Sequence, residues 1–94
     1  MFNKLKQFRD LRSQAKTLQN ALAGESVEYE KNGVKVVMNG NMEITGLAVN
    51  PDLAKDKLEN TLTEAINETI KRAQKVMAKK VQEMGGIQGM SNFQ

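Results

Sequence analysis

Basic side chains at helical intervals are the residues of this chain best suited to binding a ligand. Arg9, Arg12 and Lys16 are spaced by three and four, and a second group spaced by four begins at Lys71. Such spacings place side chains on one face of an α-helix. A row of cations suits phosphate oxygens, because each neutralised phosphate releases counterions whatever the base sequence. The candidate DNA-binding residues are Lys4, Lys6, Arg9, Arg12, Lys16, Lys71, Arg72, Lys75, Lys79 and Lys80.

The same cations also have a purely structural interpretation. Charge runs are usually solvated faces, and cations near a helix C-terminus stabilise its dipole, with acids such as Asp52, Asp56 and Glu59 at the opposite end. No helix-turn-helix spacing, zinc finger or aromatic platform for bases is present. Any DNA binding is therefore expected to be led by phosphates and only weakly specific.

Composition argues against catalysis and against metal binding. The chain has no His and no Cys, which removes the commonest general base and the thiolate ligands of zinc sites. Ser13, Ser26 and Ser91 consequently have no His partner. The glycine-rich run at 85–89 follows a helical pattern and lacks the context of a phosphate-binding loop. We expect no enzyme activity, no metal and no cofactor.

Length and charge indicate a small basic domain. The 94 residues carry a formal net charge of +3, and we predict one domain over residues 1–85 followed by a flexible tail over 86–94. The N-terminus lacks the apolar stretch of a signal peptide, and no segment approaches the ~18 apolar residues of a membrane span. These features favour a cytoplasmic protein.

Two helices are predicted at the ends of the chain. Residues 2–22 carry apolar positions at spacings of three and four that also fit a heptad seam, and Gly24 follows them. A second helix is predicted after Pro51, with Asp56 as its N-cap. Its apolar stripe is Leu58, Leu62, Ile66, Ile70, Ala73, Met77, Val81 and Met84, and Gly85 and Gly86 end it.

Three antiparallel strands are predicted between the helices, over residues 26–49. Asn32-Gly33 is a strong hairpin signal, and Asn39-Gly40 predicts a second tight turn. Met42 and Ile44 alternate in the third strand until the phase slips at Thr45-Gly46, which indicates a β-bulge. The predicted fold class is α+β, an α–β–β–β–α unit with a three-stranded meander.

The last helix is too long for a compact chain of this size. About 28 residues span roughly 42 Å, whereas a 94-residue domain is only about 30 Å across. Its apolar stripe and the open sheet edges favour a two-fold dimer that covers both. The residues predicted in the core or dimer interface are Leu11, Leu18, Val34, Val36, Ile44, Leu62, Ile66, Ile70 and Met77.

Two alternative functions fit the same helices. The N-terminal residues Phe2, Leu5 and Phe8, with their basic neighbours, could form an amphipathic helix on a membrane surface. This alternative is the weaker, because the apolar seam continues to Leu22 beyond any membrane face. Alternatively, projecting helices could clasp a partner polypeptide, with Leu5 or Met84 as contacts.

Three segments of the sequence are similar to a known family. The run GVKVVMNGNMEITGLAVNPDL, residues 33–53, resembles the YbaB/EbfC family of nucleoid-associated proteins, as do LENTLTEAINETIKRAQK over 58–75 and SQAKTLQNAL over 13–22. The resemblance covers nearly the whole chain. It implies a homodimer whose helices project like tweezers, DNA binding with an effect on DNA conformation and gene expression, and a nucleoid location. The chain departs from the family in its short N-terminal segment and in its brief turn before Val34.

Overall fold

The order of elements is helix, three strands, helix, as the sequence predicts. A computed structural model describes residues 2–85, with side chains from Lys6 onward. The elements are α1 (Phe2–Ala23), β1 (Ser26–Lys31), β2 (Val34–Asn39), β3 (Ile44–Ala48) and α2 (Lys55–Glu83). The strands form one antiparallel sheet in the order β1-β2-β3. The α–β–β–β–α prediction is confirmed, whereas the predicted tail over 86–94 lies outside the described residues and the dimer stays a prediction.

The first hairpin has the predicted Asn-Gly turn. Asn32 and Gly33 have φ values of 53° and 80°, and positive φ at both central residues is what a two-residue type I′ turn requires. Lys31 and Val34 pair on either side of it. The Asn32 side-chain amide donates to Thr61 Oγ1 at 3.3 Å, so the turn is attached to α2.

The second connection is longer than predicted. A tight backbone turn does form here, with Gly40 and Asn41 at its centre, since Met42 N donates to Asn39 O at 3.1 Å. Asn39 itself is the last residue of β2, and the whole of residues 40–43 forms the loop. Asn39 Oδ1 accepts hydrogen bonds from the backbone N–H groups of Asn41 and Glu43, at 2.9 and 3.1 Å. These side-chain bonds reinforce the backbone turn, and the left-handed residue is Met42, with φ 63°. The prediction that Met42 belongs to β3 is therefore wrong.

The predicted β-bulge in the third strand is confirmed. Val37 pairs with Gly46 and Met38 pairs with Ile44, so Thr45 is the extra residue. A bulge of this kind bends the strand and increases its twist.

The start of α2 differs from the prediction. Ala54 is the N-cap, with no side-chain hydrogen bond, and the helix begins at Lys55. Asp56 is therefore not the cap but lies in the first turn, where its charge still favours the positive end of the helix dipole.

The buried face of α2 lies beside the predicted apolar stripe. Thr61, Ala65, Thr69 and Ala73 are its buried residues, whereas Leu62, Ile66 and Ile70 are half-buried. Small side chains let the helix backbone approach the sheet closely, and the Thr69 hydroxyl is satisfied by donating to Ala65 O at 2.6 Å. The larger apolar side chains consequently flank the contact instead of filling it.

The core lies under β2, the central strand. Val34 and Val36 are fully buried and Met38 nearly so. Val34, Val36 and Ala65 form the central cluster, and the half-buried residues packed against it include Leu53 and Leu58. Because α2 lies against β1 and β2, β3 is left at the margin of the core.

The molecule is elongated because its helices extend past the sheet. Its principal extents are 62 × 22 × 19 Å. Along α2, Thr61 lies at the β1–β2 turn, whereas Lys80 reaches Glu25 just before β1 starts. The helix thus runs antiparallel to β1 and leaves the sheet after Lys80. Within residues 2–85, neither helix has an apolar stretch capable of crossing a bilayer.

Candidate nucleic-acid interface

Three lysines of α2 point away from the sheet into solvent. Lys71, Lys75 and Lys79 are exposed and recur every fourth residue. At 100° per residue they lie roughly opposite the buried line that ends at Ala73. None of the three makes an ion pair with another part of the described chain, so their charges are available to an anion.

Arg72, by contrast, is held against the sheet. Its Nη1 donates to Glu28 O at 2.5 Å, and its guanidinium carbon lies 5.1 Å from the centre of the Tyr29 ring. Stacking of this kind combines cation–π attraction with a charge-assisted hydrogen bond. Arg72 therefore attaches β1 to α2, although the sequence grouped it with the DNA-binding cations.

Lys80 is similarly occupied by neighbouring acids. Its Nζ lies 3.0 Å from Glu25 Oε1 and 3.6 Å from Glu83 Oε2. The hydrogen bond that Lys80 donates to Glu25, followed by the charge of Glu25, raises the pKa of Lys80 above its ordinary value. Lys80 stabilises the junction between β1 and the end of α2, and two carboxylates offset its charge.

The cations of α1 lie on an open helix. Lys6, Arg9, Arg12 and Lys16 are all exposed, as is every residue from 6 to 13. The side chain of Lys4 lies outside the described residues. Because α1 packs on α2, the cations of both helices belong to one structural unit. We call α1 together with Lys71–Glu83 of α2 the helical arm.

Charge is separated between the sheet and the helical arm. Residues 25–68, the sheet half, contain nine acids and four bases, for a net charge of −5. Residues 6–24 contain four bases and one acid, and residues 69–85 contain five bases and one acid. The overall charge of +3 is therefore the sum of a basic arm and an acidic sheet half. A phosphate backbone would be attracted to the arm and repelled by the sheet.

Comparison with known sequences identifies the family. A sequence profile of the YbaB/EbfC DNA-binding family matches residues 1–90. The chain belongs to the YbaB/EbfC DNA-binding family. It is 32% identical over 95 residues to a nucleoid-associated protein of Pelotomaculum thermopropionicum, covering 95% of this chain and 88% of that protein.

Two further relatives of this YbaB/EbfC protein carry the same description. A nucleoid-associated protein of Gloeobacter violaceus is 32% identical over 87 residues, covering 87% of this chain and 78% of that protein. One of Thermoanaerobacter pseudethanolicus is 28% identical over 90 residues, covering 89% and 81%. The resemblance seen in residues 33–53 is thus confirmed at the level of the family.

The predicted core and interface residues of the YbaB/EbfC chain occupy three environments. Val34 and Val36 are fully buried, whereas Leu11 and Ile44 are 45% and 50% exposed. The remainder are half-buried, namely Leu18, Leu62, Ile66, Ile70 and Met77. One chain alone therefore leaves part of this predicted set open to solvent.

The side chains that hold the arm to the sheet were not predicted from the sequence. Lys80 pairs with Glu25 just before β1, and Arg72 contacts the backbone carbonyl of Glu28 and the ring of Tyr29. No local sequence pattern indicates these contacts. Asn39 was predicted as a turn residue only, and no role was predicted for Asn41. In the part of the chain that the structure describes, no group of three or more acidic side chains is placed to hold a metal ion.

Proposed function

We propose that this protein binds double-stranded DNA without marked sequence preference, as a homodimer at the nucleoid in the cytoplasm, and has no catalytic role. The observation that carries the proposal is the separation of charge between the helical arm and the sheet half. Cations that face solvent in a row along Lys71, Lys75 and Lys79 suit a phosphate backbone. The family's DNA-binding description and its nucleoid-associated relatives support the same function.

The face we assign to the homodimer is the uncovered side of β3. Leu47 pairs with Val36, and Ile44 with Met38, so these side chains lie on the same face as the core. Yet Ile44 and Leu47 are 50% and 57% exposed, and Val49 just beyond is 42% exposed. Contiguous apolar patches usually mark an interface.

The flank of α2 extends this apolar face. Glu64 and Arg72 face β1, where they contact Lys31 and Glu28. Leu62 and Ile66 project from the opposite side of the helix and remain half-buried. A second copy seated on β3 and this flank would cover both, and it would leave the arm cations of the two copies exposed. Two arms on one dimer could contact neighbouring stretches of duplex and so alter its conformation.

The experiment that tests DNA binding is a titration on unrelated duplexes. Fluorescence anisotropy with two random sequences, at salt concentrations from about 50 to 200 mM, should give equal affinities and a linear fall of log K with log salt. About six phosphate contacts correspond to a slope near −5. Absence of binding at the lowest salt would refute the function.

A second candidate function is favoured by the apolar side of α1. Phe8 is 66% exposed and Leu11 is 45% exposed, so the arm could clasp an apolar polypeptide segment. Changing Phe8 to Ser would then abolish partner capture and leave DNA affinity unchanged. This candidate fails if replacing Lys71, Lys75 and Lys79 by Glu abolishes DNA binding while Phe8→Ser has no effect on any pull-down.

A further inference from the structure

We propose that the β2–β3 loop is the joint that sets the direction of α1, with Gly40 and Asn41 as positioning residues for the α1 part of the DNA surface. The proposal rests on the proposed function for its DNA consequence, although the joint itself can be tested without DNA. We define the joint as residues 39–43 and the carbonyls of α1 that they contact.

The joint holds α1 by its C-terminal carbonyls. Gly40 N donates to Leu22 O at 2.9 Å, and Asn41 Nδ2 donates to Gln19 O at 2.9 Å. Leu22 O is one of the last four carbonyls of α1, which lack partners from within the helix, and it also accepts from Glu25 N at 3.0 Å. Gln19 O lies just before these four, so the Asn41 amide reaches one turn further along the helix. Two donors from adjacent loop residues constrain both the position and the direction of the helix end.

Gly40 permits this contact through its lack of a side chain. A Cβ at position 40 would lie 2.8 Å from both Leu22 Cδ2 and Leu22 O, and 3.0 Å from Leu22 Cβ. Leu22 is itself only 2% exposed, so it has little room to move. Glycine is therefore needed here for close approach, not for a positive φ.

The loop is stiff enough to act as a support. Asn39 is 9% exposed. Its side-chain Nδ2 donates to Glu43 Oε1 at 2.9 Å, and its side-chain Oδ1 accepts from the N–H groups of Asn41 and Glu43. These bonds fix the backbone on both sides of Asn41. The loop thus transmits the orientation of the sheet to α1.

Small changes at the joint are amplified along α1. From Gln19 back to Arg9 the helix runs about 15 Å, and residues 6–13 are exposed throughout. A tilt of about 20° would move Arg9 by about 5 Å. That displacement exceeds the ~3.4 Å axial rise from one phosphate of a strand to the next, so the α1 cations would lose register with those of α2.

The test uses Asn41→Ala, which removes one donor without adding bulk, and Gly40→Ala, which forces the loop from Leu22. Asn20→Ala, at an exposed position of α1, is the matched control. The chain has no Cys, so spin labels at Gln7→Cys and Asn67→Cys report the α1–α2 distance. Labelled protein refolded with an excess of unlabelled protein gives distances within one chain.

We expect Asn41→Ala to shift or broaden the label distance by about 5 Å and to flatten the DNA salt slope by about 1 to 2. Gly40→Ala should do the same more strongly. Asn20→Ala should change neither, and circular dichroism should show Asn41→Ala still folded.

Three outcomes would overturn the proposal. An unchanged distance distribution in Asn41→Ala would show that the loop does not direct α1. A changed distance with unchanged DNA affinity and slope would show that the direction of α1 is irrelevant to binding. An effect of equal size in Asn20→Ala would show that any truncation near the end of α1 changes its direction, so that the loop donors have no special role. If the unaltered protein binds no DNA, the proposed function fails, whereas the distance measurement still decides whether the joint exists.

Discussion

The sheet half and the helical arm differ in the burial of their side chains and in the sign of their net charge. In the sheet half, Val34 and Val36 are fully buried and the exposed surface is acidic. In the arm, residues 6–13 are exposed throughout and the surface is basic. One chain thus contains a region that is stable through burial and a region that is available for contact. In the function that we propose, the sheet supplies folding and pairing, while the arm supplies a surface for an anionic partner.

The largest effect should come from placing a charge on the uncovered face of β3. Leu47→Lys should raise the dimer dissociation constant at least thirtyfold, because a buried interface residue of this kind contributes about 2 kcal/mol or more. Sedimentation velocity over a concentration series measures this. Ala48→Lys, on the opposite face of the same strand, should leave the dimer intact. Equal behaviour of the two variants would remove β3 as the interface.

The next largest effect should come from truncating the core. Val36→Ala should lower the free energy of unfolding by about 2 kcal/mol, since the lost methyl groups leave a cavity. Val37→Ala, at a half-buried position on the other face of β2, should lose less than half as much. Urea denaturation gives both values. A larger loss at Val37 would mean that the sheet buries its other face.

A smaller effect is expected where the arm meets the sheet. Arg72→Ala removes the guanidinium from Tyr29 and from Glu28 O and should cost about 1 kcal/mol. Lys71→Ala, one residue away and free of such contacts, should stay within about 0.5 kcal/mol of the unaltered protein. Thermal unfolding compares them. A larger loss of stability in Lys71→Ala than in Arg72→Ala would contradict the assignment of Arg72 as the residue that attaches β1 to α2.

The smallest effect is a pH dependence at the Lys80–Glu25 pair. Glu25 raises the pKa of Lys80 in the folded protein, so this pair stabilises the fold below the ordinary lysine value of 10.5 and loses that contribution as pH rises through the raised pKa. As pH rises above 10.5, the melting temperature should fall less steeply in Glu25→Gln than in the unaltered protein. A steeper fall in Glu25→Gln would contradict the assignment.

The element order followed from periodicity, since strand alternation and helical spacing are local properties. The Asn32-Gly33 turn followed likewise, because both residues need positive φ. The length of the second connection did not, because the Asn39 side chain bonds its own loop, and Gly40 serves a contact with Leu22, eighteen residues earlier in the chain. Such a contact depends on tertiary structure and leaves no local pattern.

The candidate site was predictable in outline and not in detail. Helical spacing correctly placed Lys71, Lys75 and Lys79 at exposed positions of α2. It could not separate them from Arg72 and Lys80, whose partners Glu28 and Glu25 lie more than forty residues away in sequence. Burial of Thr61 and Thr69 instead of the larger Leu62 and Ile66 was also hidden, because spacing alone does not show which neighbouring line of a helix contacts the sheet.

The most direct test of the division between arm and sheet is a pair of matched charge reversals. Lys71→Glu with Lys75→Glu changes the arm, and Lys55→Glu with Lys57→Glu makes the same change in net charge at exposed positions of the sheet half. At about 0.1 M salt, screening over about 10 Å limits long-range effects. Anisotropy on random duplex should show the arm variant at least about tenfold weaker, with a salt slope flatter by about 2, and the sheet variant within about twofold of the unaltered protein. Equal losses in the two variants would contradict the account.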